Sequence, residues 1–218
     1  TTEQVLWAHY RDQLQQARPR ARLECRTGSG RATYHRYDHR NQHHLITYGI
    51  RMVMAKHNPE TAASWLSARE IRSRRYFGGE LSVLNLLAHT CTHEFAHLLQ
   101  QHEGKRYHGS VHNHHFYALL DRLNSNGVAE RVRGHLSASA GRLGLTLDCR
   151  PMTLPGPDQQ AAQWQRGDRV RFGQGAAARE GEILRINRKT CTVEGRGLSR
   201  GLRFRVPFVM LEAAGSPG

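Results

Sequence analysis

Acidic residues are scarce in this chain: 18 Asp and Glu stand against 32 Lys and Arg, for a formal net charge of +14. Cysteine is scarce as well. Cys25, Cys91, Cys149 and Cys191 lie far apart and form no Cys-x-x-Cys pair, so neither a zinc ribbon nor a small disulfide scaffold is expected, and reduced intracellular thiols are. Long apolar runs are missing too. Nothing approaches the roughly 20 residues that span a bilayer, and Thr1 to Gln16 lacks a basic stretch followed by an apolar one, so no membrane association and a cytoplasmic location are expected. Aromatic residues make up only 7% and hydrophobic residues 38% of the 218 positions, with a mean hydropathy of -0.66. The apolar residues nevertheless recur periodically, which a disordered chain does not require.

The excess charge is mostly arginine, which pairs bidentately with phosphate, so nucleic acid is the expected partner. The length suits a catalytic-sized domain plus a small module. A helix is expected over Glu3–Ala17, strands over Arg20–Arg26, Ala32–Tyr37 and His43–Ile50 as a small antiparallel sheet with a turn at Gly28-Ser29-Gly30, and a short helix over Glu60–Arg69. Leu81, Leu84, Leu87, Cys91, Phe95, Leu98 and Leu99 recur at helical spacing and predict a long helix over Glu80–Glu103; Asn113–Asn126 predicts another. Pro151, Pro155, Gly156 and Pro157 mark a linker over 151–163. After it, Asp168–Phe172, Gly181–Asn187, Thr190–Glu194 and Leu202–Val206 read as short strands of a small all-β barrel over 164–214.

Within the long predicted helix lies His93-Glu94-Phe95-Ala96-His97. Four residues advance a helix by about 400°, so both imidazoles leave the same face one turn apart, the geometry for gripping one metal ion. Glu94 sits beside them, placed to take a proton from a water that the metal has acidified, the HExxH arrangement of zinc peptidases. For this composition roughly 0.06 such matches arise by chance. A catalytic zinc needs a third protein ligand. His102 is turned off the ligand face, and His114 and His115 fall within the second helix, which leaves His108 in the loop or His112 at the helix start.

The stretch from His93 to Leu123 resembles the SprT-like (Spartan) metalloprotease family: HExxH, a loop of variable length, then a His followed four residues later by an aromatic that opens an apolar helix. Here His112-Asn113-His114-His115-Phe116-Tyr117 matches that second block, so the resemblance implies His112 as third ligand, with His108 as the alternative. It also implies an α+β, zincin-like catalytic domain over 1–150 with bound Zn²⁺. The substrates implied are proteins, among them proteins crosslinked to DNA, which favours DNA over RNA and, in a bacterium, the nucleoid. The family's cysteine-based zinc ribbon is absent.

In its place, Gly167–Phe172 and Gly181–Val193 resemble the KOW/SH3-like barrels of nucleic-acid-associated proteins. Arg185, Arg188 and Lys189 flank the expected hairpin turn as phosphate contacts. Two functions follow as expectations. The first is a nucleic-acid-associated zinc protease; the second is a non-catalytic nucleic-acid- or ribosome-binding protein with a structural metal.

Overall fold

A computed structural model describes residues 1–30, 32–63, 65–107, 109–173 and 178–214. The chain is α+β, with a three-stranded and a five-stranded sheet. It divides into two compact units, one of Thr1–Asn58 with Trp65–Met152 and the other of Pro59–Ser64 with Thr153–Gly218. No helix among the described residues is long and apolar enough to cross a membrane.

The first unit opens with a π-helical turn, Thr2–Trp7, running into α1 (Ala8–Ala17). Strands β1 (Arg22–Gly28), β2 (Tyr34–Asp38) and β3 (His43–Gly49) follow in the spatial order β1-β3-β2. This sheet is mixed, not antiparallel as the sequence suggested: β1 runs parallel to β3 and only β2 is antiparallel to it. Turn chemistry decides the pairing. The Asp38 carboxylate accepts from the backbone N–H of Arg40 at 2.9 Å and of Asn41 at 3.2 Å, which folds β2 back on β3, while Gly28-Ser29-Gly30 carries the chain across instead of closing a hairpin. The central place falls to β3, whose His44, Ile46 and Thr47 are buried.

Helix α2 (Ile50–Ala55) leaves β3 directly. The single helix expected over 60–69 is two, α3 (Pro59–Ala62) and α4 (Leu66–Arg74), because Trp65 is extended before α4 starts. The long helix α5 (Val83–His102) begins three residues later than Glu80, where the Ser82 hydroxyl caps it by accepting from Asn85 N–H at 3.0 Å. Asn113 caps α6 (His114–Ser125) in the same way through Phe116 N–H at 3.0 Å. A further helix, α7 (Val128–Arg142), packs on α5 and α6 through Val128, Ala129 and Val132. It had no counterpart in the sequence reading, since Gly134 and Gly141 and a run of polar residues dilute its periodicity.

In the second unit, part of the expected linker is structured: α8 (Pro157–Ala161) starts with proline in its first turn, and Ala161 and Trp164 pack on the sheet's core. The strands are β4 (Arg169–Phe172), β5 (Arg179–Ile186), β6 (Thr190–Gly195), β7 (Arg203–Pro207) and β8 (Glu212–Ala213), in the order β7-β6-β5-β4-β8. Val170, Ile183, Cys191 and Val193 are fully buried between them. The expected barrel is not closed. Strand β8 is two residues long and pairs only with Val170 and Arg171 of β4, too short to reach β7 among the described residues.

A buried chain of polar groups ties β2 and β3 to the segment after α5. Arg106 donates to His35 Nδ1 at 2.8 Å and to the His35 carbonyl at 3.2 Å, which leaves Nε2 as the protonated nitrogen of His35 and makes it the donor to His44 Nδ1 at 2.9 Å. Burial, the positive charges of Arg106 and Arg18 and the neighbouring histidines hold His35 down to about 2 and His44 down to about 3, from 6.5 in an unfolded chain. Below pH 6.5 the unfolded chain therefore binds protons that the folded chain refuses, and stability falls as pH falls. The urea midpoint should drop between pH 7 and pH 5. In His44→Phe, which keeps the ring among Trp7 and Tyr37, the slope of stability against pH should lessen by about 1.4 kcal/mol per pH unit. An unchanged slope would show that His44 protonates freely in the folded state.

Candidate metal centre and its surroundings

Helix α5 positions the HExxH residues one turn apart, with His97 and Glu94 buried and His93 half-buried. His112, exposed on the turn before α6, completes the cluster: its Nε2 lies 3.2 Å from Nε2 of His93 and 3.2 Å from Nε2 of His97. His108 falls outside the described residues.

The tautomers follow from the partners. His93 Nδ1–H donates to Glu70 Oε2 at 3.0 Å, and His97 Nδ1–H donates to Gln100 Oε1 at 3.2 Å. Both Nε2 atoms are thereby left as lone pairs aimed at the same point. His112 Nε2 can give a proton to at most one of them. Three nitrogens so close together could hold a metal ion between them. Nitrogens held about 2.0–2.1 Å from one tetrahedral ion stand roughly 3.3 Å apart, close to the spacing found here. Neutral imidazoles are also what a metal requires: burial, with the neighbouring His93 and Arg106 charges, pushes His97 down to about 2, and burial with His93 lowers His112.

Phe116, fully buried on α6, forms one wall against all three rings, with centroids 4.9 Å from His93, 4.3 Å from His97 and 4.9 Å from His112. The aromatic four residues after His112 thus has a physical reason. It fixes the rings' orientation and keeps water off one side of the centre.

Compared with protein-family models, curated proteins and solved structures, the chain gives no match in any of the three. The reading of this centre therefore rests on its own geometry.

Several residues that spacing did not single out hold the ligands in place. Glu70, buried on α4, also accepts from His89 Nε2 at 2.8 Å, one turn before His93. Burial alone would raise the Glu70 carboxyl, but the hydrogen bonds from His89 and His93 outweigh it and hold the group below the usual carboxylate range. Glu70, His89 and His93 also lie close enough together to form a second metal-competent group. The two groups share His93, whose Nδ1 is held by Glu70 Oε2, while Glu70 Oε1 and His89 Nδ1 are buried without a hydrogen-bond partner among the described residues. Gln100 links two ligands: while its Oε1 accepts from His97, its Nε2 donates to the Val111 carbonyl at 2.9 Å and to Asn113 Oδ1 at 3.1 Å, on either side of His112. Of these, only Gln100 and His89 left a trace in the sequence, at i+3 from His97 and i−4 from His93 on the same face of α5. Glu70 belongs to another helix.

Glu94 is 6% exposed, and its Oε2 is buried with no hydrogen-bond partner among the described residues. Burial raises its pKa against the opposing pull of His93, Arg106 and Lys56, so the carboxylate is a stronger proton acceptor than one in water. The three basic residues of the second unit lie where the sequence placed them, exposed around the β5–β6 turn that Asn187 N–H closes on the Thr190 carbonyl at 2.8 Å.

Glu70→Gln and Gln100→Ala should each weaken binding of a divalent transition metal by about 10–100-fold, read by competition with a chelator, while the helical circular-dichroism signal is kept. Affinity within twofold of the unsubstituted chain would show that the ligands orient themselves.

Proposed function

We propose that the first unit is a zinc-dependent peptidase of the SprT-like kind, and that the second unit associates it with nucleic acid. The observation that carries the reading is the convergence of three histidine Nε2 atoms, that of His112 lying 3.2 Å from each of the other two, on a helix that also carries a buried, unpartnered glutamate oxygen. An all-nitrogen set of three imidazoles suits Zn²⁺ and leaves a fourth position, the catalytic pattern, where a structural site is closed by four protein ligands. Zinc held by His93, His97 and His112 would supply Lewis acidity, polarising a peptide carbonyl and acidifying water.

The chain's own residues then have defined tasks. Glu94 Oε2 accepts the proton of the attacking water and passes it to the leaving amine, helped by the burial that raises its basicity. Glu70 and Gln100 keep the Nδ1 protons of His93 and His97, so that their Nε2 lone pairs stay aimed at the ion. Phe116 excludes water from one side. Strand β2 lies at one edge of the first sheet, where an extended peptide can add as a further strand, although its His35 carbonyl already accepts from Arg106. The SH3-like reading of the second unit is supported by its five short antiparallel strands, the last returning beside the first after a 3₁₀ turn at Phe208–Met210. Its eleven Lys and Arg against five Asp and Glu between Gln163 and Gly218 favour a polyanion, and DNA over RNA follows from the SprT-like resemblance.

Glu94→Gln should keep its metal and lower peptide-bond cleavage by about 10²–10⁴-fold, whereas His112→Ala should lose the metal, as read by metal analysis beside a casein-cleavage assay with and without DNA. A chain that cleaves nothing with zinc bound, or a Glu94→Gln variant that cleaves as fast, would overturn the peptidase and leave a binding protein with a structural metal. Replacing Arg185, Arg188 and Lys189 together by Ala should reduce the slope of log affinity for duplex DNA against log salt by about 2–3. An unchanged slope would remove this turn from the nucleic-acid interface.

A further inference from the structure

A cavity of about 160 Å³ in the first unit is lined by both Glu94 and His93, and by Lys56, Trp65, Ser67 and Thr90 among others. Two features of its lining have no structural explanation. Lys56 is 2% exposed, and a buried ammonium is costly unless something compensates it. It donates to Ser67 Oγ at 2.6 Å and lies over the Trp65 ring at 5.7 Å, and among the described residues no carboxylate pairs with it directly. In addition, Trp65 Nε1 is buried with no hydrogen-bond partner among the described residues. A buried lysine and the indole whose N–H is unused therefore line one small cavity with the glutamate at the metal centre.

An unpartnered Trp65 N–H and a lysine whose one neutral acceptor among the described residues is Ser67 Oγ, next to a catalytic centre, suit a pocket for an acceptor. We propose that this cavity is a specificity pocket for the carboxylate side chain of a Glu or Asp residue flanking the scissile bond; the proposal rests on the peptidase reading above. The cavity, about 160 Å³, has room for the five heavy atoms of a glutamate side chain. The charge also fits. A second anion beside Glu94 is tolerable only with a cation at hand; burial holds Lys56 down to about 7, and an incoming carboxylate would keep it protonated, whereas a neutral donor would leave the two carboxylates repelling each other. A single charge in a pocket is one way a peptidase selects the residue next to the bond it cuts.

The test compares peptides that differ only by Glu or Gln at the flanking position, chosen from a map of cleavage sites in an unfolded protein. The zinc-loaded chain should favour the Glu peptide in kcat/KM by at least about tenfold, Lys56→Met should bring the ratio to within about twofold of unity, and Trp65→Phe, which deletes only the N–H donor, should lower it part of the way. Cleavage without acidic preference, or a preference that survives in Lys56→Met, overturns the pocket while the peptidase stands. If the chain cleaves nothing, the peptidase reading fails, and the pocket is judged by NMR titration with N-acetylglutamate N-methylamide and its glutamine counterpart. Stronger binding of the Glu probe that Lys56→Met abolishes upholds it, and equal binding of the two probes overturns it.

Discussion

A twenty-residue helix buried along most of its length cannot leave its polar side chains unmatched, and α5 carries His89, Thr90, Thr92, His93, Glu94, His97 and Gln100 through the interior of the first unit. Each unmatched buried polar group costs about 1–3 kcal/mol, so the rest of the unit is arranged around supplying partners. Thr90 and Thr92 turn back on the carbonyls of their own helix. Two histidines are satisfied by one carboxylate, and α4 is placed to deliver it. His97 is satisfied by Gln100, which holds the backbone beside His112 with its other end. Among the buried polar atoms left unmatched in the described residues are the Oε2 atom of Glu94, the Nδ1 atoms of His89 and His102 and the Oδ1 atom of Asn85, and the first of these is the one the proposed chemistry uses.

The amphipathic pattern of α5 and α6 and the histidine spacing were legible in the sequence because each is a local rule: periodicity, and two rings one helical turn apart; the Ser82 cap was not, and the expected start fell three residues early. The mixed first sheet was not. Its pairing was decided by the Asp38 turn and by the burial of β3, a property of the assembled layers that no stretch of sequence displays. Helix α7 was hidden by two glycines whose cost is met by packing on α5 and α6. At the site, the residues on the same helix face as the ligands were within reach of the spacing argument. Glu70 and Lys56 were not, since they meet α5 only through tertiary structure and their types are ordinary for solvent-exposed positions in sequence.

The hydrogen bonds around Gln100 also bear on how such a centre can diverge. The segment leaving α5 and the one entering α6 are fastened to each other and to the helix: Lys105 N–H donates to the Gln100 carbonyl at 3.0 Å, Asn113 Nδ2 donates to the Lys105 carbonyl at 3.1 Å, and Gln100 Nε2 grips the Val111 carbonyl. His112 is therefore located by clamps on both sides of its loop and not by the path the chain takes between them. Residues can be inserted or deleted beyond those clamps, around Tyr107 to Ser110, at an entropic cost that grows only slowly with length and without shifting the third ligand. Copies of this centre in diverging lineages would then keep Gln100 and Asn113 while their loops drift in length, and a search that demands a fixed interval between His97 and His112 would pass them by.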